Sequence, residues 1–216
     1  MPGQALRTPR SAAVAGVAFA LLYGAAVVLI RLSFSGDITD RSGWLADRVA
    51  RVSAAVHLVA YAGIAFLWFM GVMRTRIGAR EDRFLSTVFM GSGYLFLAMT
   101  FVAGAVTSGL VGLYAQAPAD MAESGGFVLG SRVAFELVNV YSVRMAGVFM
   151  ISLGTLSLRT GALPRGFIWL TYALAAVLLL SIGITLWVTL VFPLWVLVLS
   201  VYLLLRGIDA APEAAP

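Results

Sequence analysis

Between Arg165 and Arg206 the chain reads GFIWLTYALAAVLLLSIGITLWVTLVFPLWVLVLSVYLLL, 40 consecutive residues without a charge. A soluble domain has no place for such a run, whereas a bilayer core about 30 Å thick takes an apolar helix of about 20 residues. As one helix the stretch would be about 60 Å long at 1.5 Å per residue, so it reads as two spans with a turn near Ser181 to Thr185.

The interval between charges is a ruler for the rest of the chain. Twenty uncharged residues separate Arg10 from Arg31, and 22 separate Arg51 from Arg74. The 36 between Arg83 and Asp120 hold one span and then an uncharged loop, and Phe127 to Leu158 is apolar apart from Arg132, Glu136 and Arg144. These intervals predict an all-α polytopic integral membrane protein. Its single domain, 1–207, has six transmembrane helices at about 12–31, 52–73, 84–108, 133–158, 166–183 and 186–205, and the tail 208–216 is expected to be disordered. The composition agrees: 61% of residues are hydrophobic and 12% charged, against about 25% charged in a soluble domain. Arg7 and Arg10 before the first apolar run resemble a signal peptide, but 20 residues without a clear cleavage site read as a retained helix.

Arginine sets the orientation. With the N-terminus inside, the cytoplasmic segments carry Arg7, Arg10, Arg74, Arg76, Arg80, Arg83, Arg159, Arg165 and Arg206, which places both termini in the cytoplasm of a cell bounded by this inner membrane. The charge of +5 follows from these flanks, and no nucleic-acid footprint is read from it. In the first outer loop, Ser42 to Val52 spaces Leu45, Val49 and Val52 helically, with Trp44 at headgroup depth, which predicts an interfacial helix before the second span. In the second, Pro118, Asp120 and Glu123 followed by Gly125 and Gly126 predict a short helix with a glycine stop.

Residue types exclude much chemistry. The absence of cysteine removes disulfides, thiolate metal sites and thiol nucleophiles. All fifteen basic residues are arginine, so no lysine offers a Schiff base or a phosphate-loop cation. One histidine, His57, does not give a single chain paired imidazole ligands. No metal, cofactor or catalytic residue is expected, and no His-Glu-x-x-His or Gly-x-Ser-x-Gly spacing occurs.

The polar groups inside spans carry what functional signal there is, because an ionisable side chain at bilayer depth normally faces the bundle interior or water. In the fourth span Glu136, Asn139 and Arg144 fall within nine residues, with Glu136 in the outer third and Arg144 near the midplane. Eight residues are about 12 Å of rise, too far for a direct Glu136–Arg144 ion pair. His57 lies at a similar depth in the second span with Tyr61 one turn deeper, so packing of these two helices would gather His57, Tyr61, Glu136, Asn139 and Arg144 into an outward-facing ligand pocket. Pro193 in the sixth span frees the carbonyl of Thr189, which an arginine could satisfy. A structural role for these side chains, as struts bonded to carbonyls and tyrosine hydroxyls, is the competing reading. Ala12, Gly16, Ala20 and Gly24 form a small-residue stripe on the first span, suited to packing within the bundle or to a homo-oligomer seam among membrane lipids.

Two resemblances follow from quoted segments. Gly71-Val-Met-Arg-Thr-Arg76-Ile-Gly78-Ala-Arg80 is similar to the loop motif of major facilitator transporters, departing from it at Thr75, where that family has an acidic residue. FLWFMGVMRTRIGAREDRFLSTVFMGSGYLFLAM, NVYSVRMAGVFMISLGTLSLRTGALPR and FPLWVLVLSVY resemble a group of uncharacterised multi-pass membrane proteins of actinobacteria. That resemblance implies a six-helix cytoplasmic-membrane protein and brings no activity with it. The leading expectation is a non-catalytic integral membrane protein with a polar ligand pocket; the alternatives are a small-solute transporter or channel, and a membrane-embedded lipid-acting enzyme using Glu136 and His57.

Overall fold

The computed structural model describes residues 8–34, 43–77, 83–116, 124–181 and 186–209. Among these it is helical, with no strand: α1 Thr8–Phe34, α2 Gly43–Ile77, α3 Arg83–Gln116 and α4 Gly125–Glu136 are followed by a π-helical segment, Leu137–Ser142. Then come α5 Val143–Thr160, α6 Arg165–Leu180, a 3-10 turn Leu186–Leu190 and α7 Val191–Asp209. Five helices are long and apolar enough to cross a membrane, over Ala13–Ser33, Arg48–Thr75, Arg83–Gln116, Gly125–Thr160 and Trp187–Leu205. The sixth apolar helix, α6, has 16 residues, about 24 Å of rise, and is shorter than the typical span.

Several boundaries differ from the sequence expectation. No separate interfacial helix precedes the second span: α2 is continuous, because from Trp44 to Ala62 the chain has no glycine or proline to break it and is rich in alanine. The third helix continues to Gln116 instead of ending at Ser108, since Gly109 and Gly112 do not interrupt it and Pro118 is the first residue that would. Gly125 and Gly126 open α4 and stop nothing; Ser124 is the cap, its Oγ accepting from the Phe127 amide at 3.2 Å. The helix expected over Pro118–Glu123 lies outside the described residues, as do 182–185 of the expected turn and 210–216 of the tail. Pro193 sits in the first turn of α7, where its missing N–H interrupts no interior bond.

The order of helices in space sets what can meet. α1 packs most extensively on α2 and on α7, while α3 packs on α2 and along the whole Gly125–Thr160 rod, and α6 packs chiefly on α5. The α5–α6 reversal is built locally: Gly161, at φ 70°, takes the left-handed turn position that favours glycine, and the Ala162 amide bonds back to the Ser157 carbonyl at 3.1 Å. Pro164 then leads into α6.

One phenylalanine from each of five elements meets at the centre: Phe19 of α1, Phe66 of α2, Phe96 of α3, Phe149 of α5 and Phe192 of α7, all buried. Ring centroids are 4.7 Å apart for Phe19–Phe66, 4.8 Å for Phe96–Phe192 and 5.3 Å for both Phe66–Phe96 and Phe66–Phe149. These separations suit tilted and edge-to-face aromatic packing. Of the small-residue stripe, Gly16 is buried where α1 meets both α2 and α7, and a Cβ there would lie 2.0 Å from Ser200 Oγ and 2.8 Å from a Phe69 ring carbon. Ala20 is buried as well, whereas Gly24 faces open space; the side chain of Ala12 lies outside the described residues.

Candidate functional site

The polar residues of the spans gather at the π segment. A π turn spaces its hydrogen bonds one residue wider than an α turn, so a rod that is α on both sides of it leaves carbonyl groups poorly served and often marks a functional position. Here three side chains engage it. Asn139, within the segment, donates through Nδ2 to the Phe135 carbonyl at 2.8 Å and accepts at Oδ1 from Arg31 Nη2 of α1. Ser142, its last residue, is buried with Oγ 3.0 Å from Thr100 Oγ1 of α3. Both hydroxyls also reach the Phe96 carbonyl, Thr100 donating to it at 2.7 Å and Ser142 at 3.5 Å. Arg144 follows the segment and donates through Nη1 to the Val140 carbonyl at 2.8 Å. Tyr23 of α1, itself buried, points its hydroxyl into the same cluster beside Thr100 and Ser142.

This seam ties the fourth rod to α1 and α3 together. Inside a bilayer an unmet polar group has no water to turn to, so such pairs fix helix neighbours even though each contributes only about 0.6–2 kcal/mol. The π segment also touches the 3-10 turn Leu186–Leu190, which brings the two non-α stretches side by side.

The residues named from sequence divide. Asn139 belongs to the seam. Arg144 is half-buried and bonds to its own rod at Val140, not to the Thr189 carbonyl. Glu136 is exposed, and among the described residues neither it nor Arg144 makes an ion pair. His57 is exposed on α2, with Nδ1–H donating to the Ser53 carbonyl one turn back at 2.7 Å, and Tyr61 is 63% exposed. Depth alone had suggested a common pocket, but α3 packs between much of α2 and the Gly125–Thr160 rod, and His57 and Tyr61 lie on the outward side of α2.

What lies beside them is apolar. A groove of about 250 Å³ between α2 and α3 is lined by Val56, Val59, Ala60, Phe101, Gly104 and Ala105, without a charged or hydrogen-bonding side chain. Among the described residues no three His, Cys, Asp or Glu side chains come together as metal ligands.

Arg31, Tyr23, Thr100 and Ser142 were not foreseen. Arg31 closes the first uncharged interval at the very end of the span expected over 12–31, yet α1 runs on to Phe34 and carries it into the bundle half-buried. The hydroxyls gave no signal, because a serine or threonine in an apolar helix is satisfied by the carbonyl four residues back, as Thr100 is by Phe96.

Arg144 stands apart from the seam. It lies 15 residues before Arg159, about 22 Å along the helix, which leaves it about 8 Å from the outer edge of a hydrocarbon layer about 30 Å thick when Arg159 is at the inner edge. It is nine residues, two and a half turns, from buried Leu153 and so on the opposite side of α5, and seven residues, about two turns, from exposed Ile151 and so on the same side.

The chain matches no family model, no curated protein and no solved structure.

Proposed function

We propose that this is a non-catalytic integral membrane protein, crossing the cytoplasmic membrane six times with both termini inside, that works by binding a partner within the bilayer. The observation that carries the reading is the division of its intramembrane polar groups. Arg31, Asn139, Ser142 and Thr100 hold helices together, whereas Arg144 faces outward from the rod. An enzyme needs acid, base or nucleophile side chains converging on one point, and Glu136, His57 and Arg144 do not offer that arrangement.

The sixth crossing is assigned to α6, whose 15 uncharged residues 166–180 follow Arg165 soon after the tight reversal at Gly161. The excess of arginine on one side of the spans supports the orientation. A topology reporter fused after Arg206 tests both: activity of a cytoplasmic reporter is expected, and activity of a periplasmic one would mean five crossings. For the function, membranes solubilised in a mild detergent are separated by native electrophoresis. The wild-type chain should migrate in an assembly larger than 22.9 kDa, and Arg144→Leu should release it. An unchanged mobility for that variant would count against the reading.

One observation favours a second reading. The contact between the π segment and the 3-10 turn resembles the paired irregular backbone of transporters, where such segments line a substrate path. A small-solute transporter would show flux in vesicles that Asn139→Leu reduces; vesicles impermeable to every solute tested would exclude it.

A further inference from the structure

We propose that the outward face of the rod between Glu136 and Arg144 binds the headgroup of one phospholipid that carries a primary ammonium group, with Arg144 on its phosphate and Glu136 on its ammonium. This goes beyond the docking reading, because a headgroup site at the edge of the bilayer needs no protein on the face below it.

The two residues sit at the depths such a lipid requires. With Arg159 at one edge of a hydrocarbon layer about 30 Å thick, the other edge falls about 20 residues back, level with Asn139. The Arg144 backbone lies about 8 Å inside that edge, and its bond to the Val140 carbonyl draws the guanidinium about one turn back toward it, where phosphates begin. Glu136 is 23 residues from Arg159, about 34 Å, and so about 4 Å beyond the hydrocarbon, in the headgroup layer.

They also point the same way. The extra residue of the π segment brings Glu136 and Arg144 to within about 20° of each other around the rod. Glu136 is exposed and Arg144 half-buried, and Val148 and Ile151, neither of them buried, continue the same side inward as apolar surface for the acyl chains.

The chemistry selects the headgroup. A guanidinium has five N–H donors, and the Val140 carbonyl takes one of those of Arg144. The others suit the two free oxygens of a phosphodiester, which a planar fork bonds in pairs. From the drawn-back guanidinium to Glu136 remains about one turn, about 5–6 Å, which a phosphate and an ammonium two carbons apart bridge with a hydrogen bond at each end. One positive and one negative side chain match a zwitterion. A primary ammonium donates three hydrogen bonds, the trimethylammonium of phosphatidylcholine donates none, and phosphatidylglycerol brings no cation to Glu136. Arg132 lies one turn farther out, and among the described residues no bond joins it to Glu136.

The test uses the full chain in phosphatidylcholine vesicles. It has no cysteine, so Ile151→Cys, on the strip about 10 Å inward of Arg144, takes a fluorophore, and Leu95→Cys, exposed on α3, is the control position. The quenchers are phosphatidylethanolamine, phosphatidylglycerol, phosphatidylcholine and diacylglycerol, each with a nitroxide on one acyl chain. At Ile151→Cys, quenching by phosphatidylethanolamine should reach its midpoint at a mole fraction about threefold lower than for the other two phospholipids, the size of one exposed ion pair, and at Leu95→Cys the three should coincide. Glu136→Gln should bring phosphatidylethanolamine to the phosphatidylcholine level. Arg144→Leu should bring all three to the diacylglycerol level, and Arg144→Lys should keep their order. Equal quenching by the three phospholipids at Ile151→Cys, phosphatidylglycerol ahead of phosphatidylethanolamine, the same preference at Leu95→Cys, or a preference that survives Glu136→Gln would each overturn the proposal. Should Arg144→Leu misfold, the order in the parent chain and its loss on changing exposed Glu136 still decide. The docking reading fails separately: a native assembly that Arg144→Leu dissolves, with no headgroup preference, refutes the lipid site alone, and the preference without any assembly refutes the docking face alone.

Discussion

Arg31 and Asn139 offer the most direct test of the seam, because they join α1 to the π segment of the Gly125–Thr160 rod through one hydrogen bond between a cation and an amide. In a soluble protein a bond to a charged group contributes about 1.5–3 kcal/mol. Two features lower that figure here. Both residues are only half-buried, and in a bilayer the separated helices still find other partners, so measured pairs average about 0.6 kcal/mol. The expected coupling is therefore about 1 kcal/mol, roughly a fivefold change in the folding equilibrium. A double-mutant cycle of Arg31→Met and Asn139→Leu isolates it from the other contacts each side chain makes. Asn139→Leu also removes the bond to the Phe135 carbonyl, a loss common to both arms of the cycle.

The assay is reversible unfolding in mixed micelles, followed by fluorescence. Each single variant should be destabilised, and the double variant should be less destabilised than the sum by about 1 kcal/mol. Strict additivity to within about 0.3 kcal/mol would refute the claim that this pair locks α1 to the Gly125–Thr160 rod.

Three further outcomes follow from the same packing. Phe66→Ala should destabilise by about 3–5 kcal/mol in the same assay, since Phe66 touches the rings of Phe19, Phe69, Phe96, Phe149 and Phe192; a loss below about 1 kcal/mol would mean the aromatic centre is not the core. Gly16→Val should prevent folding, read as loss of monodisperse protein on gel filtration. Gly16→Ala should be partly rescued by Ser200→Ala, which removes the atom 2.0 Å from the new Cβ. His57→Ala and Tyr61→Ala, on the outer side of α2, should each change stability by no more than about 0.5 kcal/mol, as exposed side chains do.

How far the sequence could be read depended on whether a property is local. Charge-free intervals are local, and they located all five long apolar helices and the break after α6. Boundaries were less legible, because a helix continues past the apolar stretch until something stops it: α3 runs eight residues beyond Ser108 to Gln116. The difference between a short interfacial helix and an extension of α2 is invisible to periodicity, which is helical in both. The five central phenylalanines are unremarkable singly, since a phenylalanine in an apolar span has the same local pattern whether it faces lipid or core.

For the site, depth could be estimated by counting residues, but neighbours could not. Asn139 and Arg144 stood out because polar groups are expensive in hydrocarbon, and that argument holds whichever helix they meet. His57 and Tyr61 entered the pocket only because they match Asn139 in depth. With several long helices packed together, equal depth leaves many pairings open, and here the partner of Asn139 is Arg31, a residue the charge ruler set at the very end of the first span. The π segment sharpens the point. A π turn adds one residue between two α stretches and so rotates everything after it relative to everything before, by about 100°. By α spacing alone the eight residues from Glu136 to Arg144 turn through about 800° and leave the two about 80° apart; the extra residue takes up about 100° of that and brings them to within about 20° of each other, both turned outward. With it, Arg144 joins the strip of Ile151 and Leu158 on α5, while Asn139 and Ser142 turn toward α1 and α3. The segment thus separates two roles within nine residues, one closing the bundle and the other pointing a cation out of it.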